Sequence, residues 1–106
     1  MISEKQINEV IKRIAENYHP DKIILFGSYA YGVPDKDSDL DLLIIKDDTS
    51  PKLERNRKVR RYLRDLTFPV DVIVKTNHEF EEWRDIIGTI AYPAAKYGKM
   101  LYEAAR

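Results

Sequence analysis

The chain has no cysteine, which excludes disulfides and thiolate metal sites and fits a cytoplasmic protein. It has no apolar run near the roughly 20 residues needed to span a membrane. Its first residues, Met1-Ile2-Ser3-Glu4-Lys5-Gln6, lack the basic-then-apolar layout of a secretory signal. It has no net charge: 18 Lys and Arg balance 18 Asp and Glu. A protein that holds nucleic acid by its backbone is usually basic, so free DNA or RNA is not the expected main partner. There is no internal repeat, no low-complexity tract and no linker. The two histidines, His19 and His78, have no companion at metal-ligand spacing and are given no role.

What is present suits one globular domain over residues 1–106, with 43% hydrophobic and 34% charged residues. Strand-like and helix-like segments alternate, so the expected fold is α/β (α+β). Ser3 and Gln6 form a capping box ahead of a helix to Tyr18 that carries Ile7, Val10, Ile11 and Ile14 on one face. Lys22 to Phe26 reads as a first strand, closed by Gly27-Ser28, with a short helix over Tyr29 to Tyr31 and a loop from Val33 to Ser38. Asp39 to Lys46 reads as a second strand, and its Leu42-Leu43-Ile44-Ile45 run predicts burial on both faces. Ser50 as N-cap and Pro51 at the first helical position predict a helix running to about Leu66. Pro69 to Lys75 is a third strand. Thr76 and Glu79 form a second capping box before a helix whose core face is Phe80, Trp83 and Ile87, stopped by Gly88. Thr89 to Tyr97 is a last helix with Pro93 near its first turn, and Lys99 to Tyr102 a short edge strand.

Three features carry candidate chemistry. Asp39 and Asp41 stand two apart, so on a strand both carboxylates point to one face. Their repulsion vanishes if a divalent cation lies between them, and hard cations such as Mg²⁺ take carboxylate and phosphate oxygens. A solvated strand start is the plainer alternative. Asp71 stands among β-branched residues in Val70-Asp71-Val72-Ile73-Val74 and needs a partner there, either a metal or one of the many arginines. Gly27-Ser28 ends a strand where backbone amides can approach a phosphate, though an isolated Gly-Ser also reads as a plain turn with a helix cap. If the first two strands are antiparallel and the next crossover is parallel, all three features meet at one sheet end. That is equipment for two-metal phosphoryl or nucleotidyl transfer.

Gly27-Ser28, ten residues, Asp39-Leu40-Asp41 and a later Asp71 on a strand resemble the signature of the DNA polymerase β-type nucleotidyltransferases. Phe26 to Gly32, Ser38 to Leu43 and Pro69 to Ile73 are similar to the minimal nucleotidyltransferase branch, as is the C-terminal stretch from Ile90 to Tyr102. The resemblance implies a mixed sheet of three to four strands flanked by helices, ATP as donor and two Mg²⁺ ions. It implies that Asp39 and Asp41 bind the metals, that Asp71 binds the catalytic metal and helps deprotonate the attacking hydroxyl, and that Gly27 and Ser28 hold the triphosphate. Many members are antitoxins whose partner is a helical HEPN-domain RNase, and such pairs can transfer AMP to a tyrosine of the toxin. The family often carries an arginine just before Gly32, where this chain has Tyr31.

Lys52, Arg55, Arg57, Lys58, Arg60, Arg61 and Arg64 crowd the third helix. A solvated face is the ordinary reading of such a run; contact with a triphosphate or docking of an acidic partner are the alternatives. Two further functions stay open: a non-catalytic nucleotide-binding module that neutralises a partner by contact, and an enzyme that modifies a small molecule, for which a homo-oligomer could supply the missing substrate site.

Overall fold

The computed structural model describes residues 1–105. Ser3 opens the first helix, α1 (Glu4–Tyr18), with the expected reciprocal bonds: Ser3 Oγ accepts from the Gln6 amide at 3.1 Å, and Gln6 Oε1 accepts from the Ser3 amide at 2.8 Å. Val10, Ile14 and Tyr18 are its buried stripe. His19 ends the helix in the left-handed region, at φ 53°, before a buried Pro20.

Four strands follow: β1 (Lys22–Phe26), β2 (Leu40–Ile45), β3 (Val70–Lys75) and β4 (Lys99–Glu103). They form one mixed sheet in the order β3-β2-β1-β4. β1 runs antiparallel to both β2 and β4, and β2 runs parallel to β3. The helices between them are α2 (Ser28–Tyr31), α3 (Lys52–Tyr62), α4 (Asn77–Trp83) and α5 (Ala91–Tyr97). The expected α/β architecture is present.

Leu42, Leu43, Ile44 and Ile45 are all fully buried, and side-chain alternation divides them between two cores. Leu42 and Ile44 join Val10, Ile14, Val59, Val72 and Val74 under α1 and α3. Leu43 and Ile45 join Ile24, Phe80, Ala91 and Ala94 under α4 and α5. Each such side chain contributes about 1.5–3 kcal/mol of burial.

Several boundaries differ from the sequence expectation. Ser28 already begins α2. Asp39 lies just ahead of β2, and Lys46 just beyond it. Pro51, not Ser50, is the N-cap of α3, without a side-chain cap. Ser50 is held otherwise: its amide donates to Asp48 at 2.9 Å and its hydroxyl accepts from Lys58 Nζ at 2.8 Å. α3 ends at Tyr62, and tighter turns carry the chain past buried Leu63 and half-buried Leu66.

Trp83 is the last residue of α4 and is 42% exposed, while Ile87 is 80% exposed and faces no core. The Thr89 hydroxyl lies within hydrogen-bonding distance of the Trp83 and Ile86 carbonyls and also accepts from the Tyr92 amide. That contact folds the chain back after α4, so the helical spacing never reaches Ile87. No helix among the described residues is long and apolar enough to cross a membrane.

Candidate active site

The sheet register brings the sequence candidates together. Asp41 pairs with Phe26 on one side and with Asp71 on the other. Gly27 and Ser28, just past β1, therefore lie at the same sheet end as Asp39, Asp41 and Asp71. Alternation puts Asp41 and Asp71 on the α4–α5 side, because Leu42, Val72, Ile44 and Val74 all pack on the other.

Gly27 adopts φ 75° and faces Asp41 directly: a Cβ on residue 27 would overlap Asp41 Oδ2. Only glycine combines that backbone conformation with so close an approach. The phosphate-loop candidate and the central carboxylate are thus in contact rather than merely at the same end.

Asp41 is half-buried, and its carboxyl is pushed above the usual carboxylate range, first by burial and then by the negative charges of Asp71 and Asp39. Concentrated negative charge at the sheet end suits a divalent cation, and the donors are hard oxygens of the kind Mg²⁺ takes. Among the described residues no three acidic or histidine side chains form a ready-made metal cage. Mg²⁺ does not need one, since it usually binds through one or two carboxylates with substrate phosphates and water completing the shell.

Asp71 has a protein partner that the sequence suggested only as one option among many. Arg60 Nη2 lies 3.6 Å from Asp71 Oδ1, with both side chains about half exposed. An exposed pair at that distance is worth about 0–1 kcal/mol, so a cation or substrate can displace it. Tyr31 stacks on Tyr97 with ring centroids 5.8 Å apart, tying α2 to the end of α5.

Part of the charge run is structural rather than solvated. Arg55 is buried; its Nη1 donates to Glu79 at 2.8 Å and its Nε to the Ser50 carbonyl at 2.9 Å. Lys58 donates to Asp48 at 3.1 Å. Helical spacing puts Arg55 and Lys58 on the side of α3 that carries buried Val59, away from the outward arginines, but it does not show that Glu79 of α4 and Asp48 of the preceding loop are there to meet them.

A mixed sheet with acidic residues gathered at one end, against a glycine that precedes a helix, can hold a cation and a phosphate side by side. The sequence profile of the nucleotidyltransferase domain matches residues 7–93, and the chain belongs to that family. No curated protein sequence matches it. Solved structures share the fold. A toxin–antitoxin crystallised with AMP-PNP is 23% identical, with a TM-score of 0.64 over 92% of this chain and 73% of that one. The toxin–antitoxin MntA-HepT is 19% identical, with a TM-score of 0.60 over 96% of this chain and 74% of that one.

Proposed function

We propose that this chain is a metal-dependent nucleotidyltransferase that moves AMP from ATP to a hydroxyl, with a tyrosine of a HEPN-type toxin as acceptor, and so acts as the antitoxin of a pair. The observation that carries the reading is the meeting of Asp39, Asp41 and Asp71 with Gly27 at one sheet end. Membership of the nucleotidyltransferase family supports the reaction class, and the toxin–antitoxin neighbours support the partner.

Asp39 and Asp41 would hold Mg²⁺ with the triphosphate, and Asp71 would contribute to a second ion. Bound there, the ions would neutralise phosphate charge and ease ionisation of the acceptor hydroxyl. The chain's own part is to position and to move one proton. Gly27 and Ser28 keep the triphosphate against Asp41. The acceptor oxygen forms a bond to the α-phosphorus as the bond to pyrophosphate breaks, and Asp71 receives the hydroxyl proton.

Two experiments test this. ATP titrated calorimetrically should bind with Mg²⁺ and not with EDTA; equal binding in both would remove the cation from the site. Co-expressed with its neighbouring gene product, the chain should add AMP to that product, detected by mass. Asp71→Asn should leave ATP affinity nearly intact and slow transfer by at least about a hundredfold. Near-normal transfer by that variant would remove Asp71 from the chemistry.

The Arg60–Asp71 pair favours a second reading, a nucleotide-binding module that silences its partner by contact. A chain that transfers nothing yet still silences its partner would establish it.

A further inference from the structure

Four arginines, Arg57, Arg60, Arg61 and Arg64, line a surface groove of about 370 Å³. Their spacing of three, four and seven residues puts them on one face of α3 and its C-terminal extension. Like charges four apart on a helix, as in Arg57 with Arg61, repel when nothing neutralises them, and Arg60 and Arg64 add to the crowding. Other cations of the segment have close acids: Arg55 has Glu79, Lys58 has Asp48, and Lys52 lies 3.8 Å from Glu79. In the groove, among the described residues, two loose pairs form, Arg61 with Glu54 at 3.9 Å and Arg60 with Asp71 at 3.6 Å. Arg57 and Arg64 have no ion pair among the described residues.

We propose that this arginine groove docks an acidic segment of the acceptor protein and delivers the acceptor hydroxyl to Asp71. The inference rests on the nucleotidyltransferase reading for its destination, and on the groove alone for its ligand. Guanidinium forks match carboxylates two bonds at a time. The groove adjoins the site through Arg60, which touches Asp71 on the edge strand β3. α3 covers the opposite face of the sheet from Asp71, so a segment seated along the groove would reach that carboxylate around the β3 edge, where Arg60 meets it. The groove runs over the last turn of α3 and the tighter turn after it, room for a few acidic side chains rather than a nucleic-acid track. The chain's zero net charge also weighs against a nucleic-acid surface.

The test uses a fluorescent oligoglutamate peptide and a single-stranded RNA oligonucleotide of similar length, with binding followed by anisotropy at low and moderate salt. The intact chain should bind the peptide more tightly than the RNA. Arg57→Gln, Arg61→Gln and Arg64→Gln combined should weaken peptide binding by about tenfold or more. These side chains are exposed, so the melting temperature should hold or rise; the Arg57→Gln, Arg64→Gln pair serves if the triple variant does not fold. With the partner protein, the triple variant should raise KM for the partner and leave kcat and ATP affinity unchanged. Tighter RNA binding would make the groove a nucleic-acid surface and overturn the proposal, as would peptide binding that ignores the arginines. Peptide binding lost in the variant, with no transfer by the intact chain, would leave the groove's ligand standing and overturn its role in acceptor delivery along with the transferase reading.

Discussion

At residue 27 a single methyl group decides the site. Gly27→Ala would place a Cβ onto Asp41 Oδ2 from a backbone at φ 75°, so either the turn or the carboxylate must move. Left-handed strain on a non-glycine residue costs about 1–3 kcal/mol. The variant should lose at least that much unfolding free energy, read from urea titration, and lose Mg²⁺-dependent ATP binding, measured by calorimetry on the folded fraction. Asp41 shows the opposite balance. A carboxyl raised above its unfolded value destabilises the fold at neutral pH, and that penalty fades as pH falls through the raised value. Asp39→Asn with Asp41→Asn should thus match or exceed the parent in urea resistance at pH 7 without metal, with the advantage shrinking in acid. A large loss of stability would mean that the pair is structural. Gly27 was visible in the sequence as a turn residue, but its contact with Asp41 depends on the β1–β2 register, which no local pattern prints.

At the scale of elements, the junction of α3 with α4 is the part least legible beforehand. Both capping boxes could be read directly, because each is a contact three residues apart. The Arg55–Glu79 pair spans 24 residues and gives no such signal. Arg55 looked like one more member of a solvated run, yet it is buried and bonded to the residue that caps α4. Its guanidinium, together with the Thr76 amide and hydroxyl, holds the Glu79 carboxyl down to about 2. That stabilisation is complete above the unfolded value near 4.5 and is lost as pH falls toward 2. Urea midpoints at pH 7 and pH 3 should drop more for the parent than for Glu79→Gln. Arg55→Ala should cost about 1–3 kcal/mol by taking the main partner from a half-buried carboxylate that keeps only the Thr76 amide and a distant Lys52. A cost below 1 kcal/mol would show that water reaches Glu79 freely.

For the whole molecule, the strands stood out as short β-rich apolar runs, and the parallel β2–β3 pairing followed from the helix between them, whereas the place of β4 beside β1 had no such signal. The carboxylates of the candidate site stood out because charged residues are conspicuous on apolar strands, and the register brings them to one sheet end. Helix ends after Tyr62 and Trp83 were not legible, since tertiary contacts set them rather than a stop residue. The feature with the widest consequence is β2, which is interior to the sheet and shared by both cores. Detaching either helix layer leaves β2 covered by the other, so its amides can open only when the molecule unfolds as a whole. Hydrogen exchange at Leu42 to Ile45 should therefore report the global unfolding free energy, while α4 and α5 exchange through a smaller opening. Asp41 is anchored in the slowest-opening strand, and the helices on its face are free to loosen. The acidic end should then keep its geometry even when the α4–α5 layer opens, because its central carboxylate moves only with the whole fold.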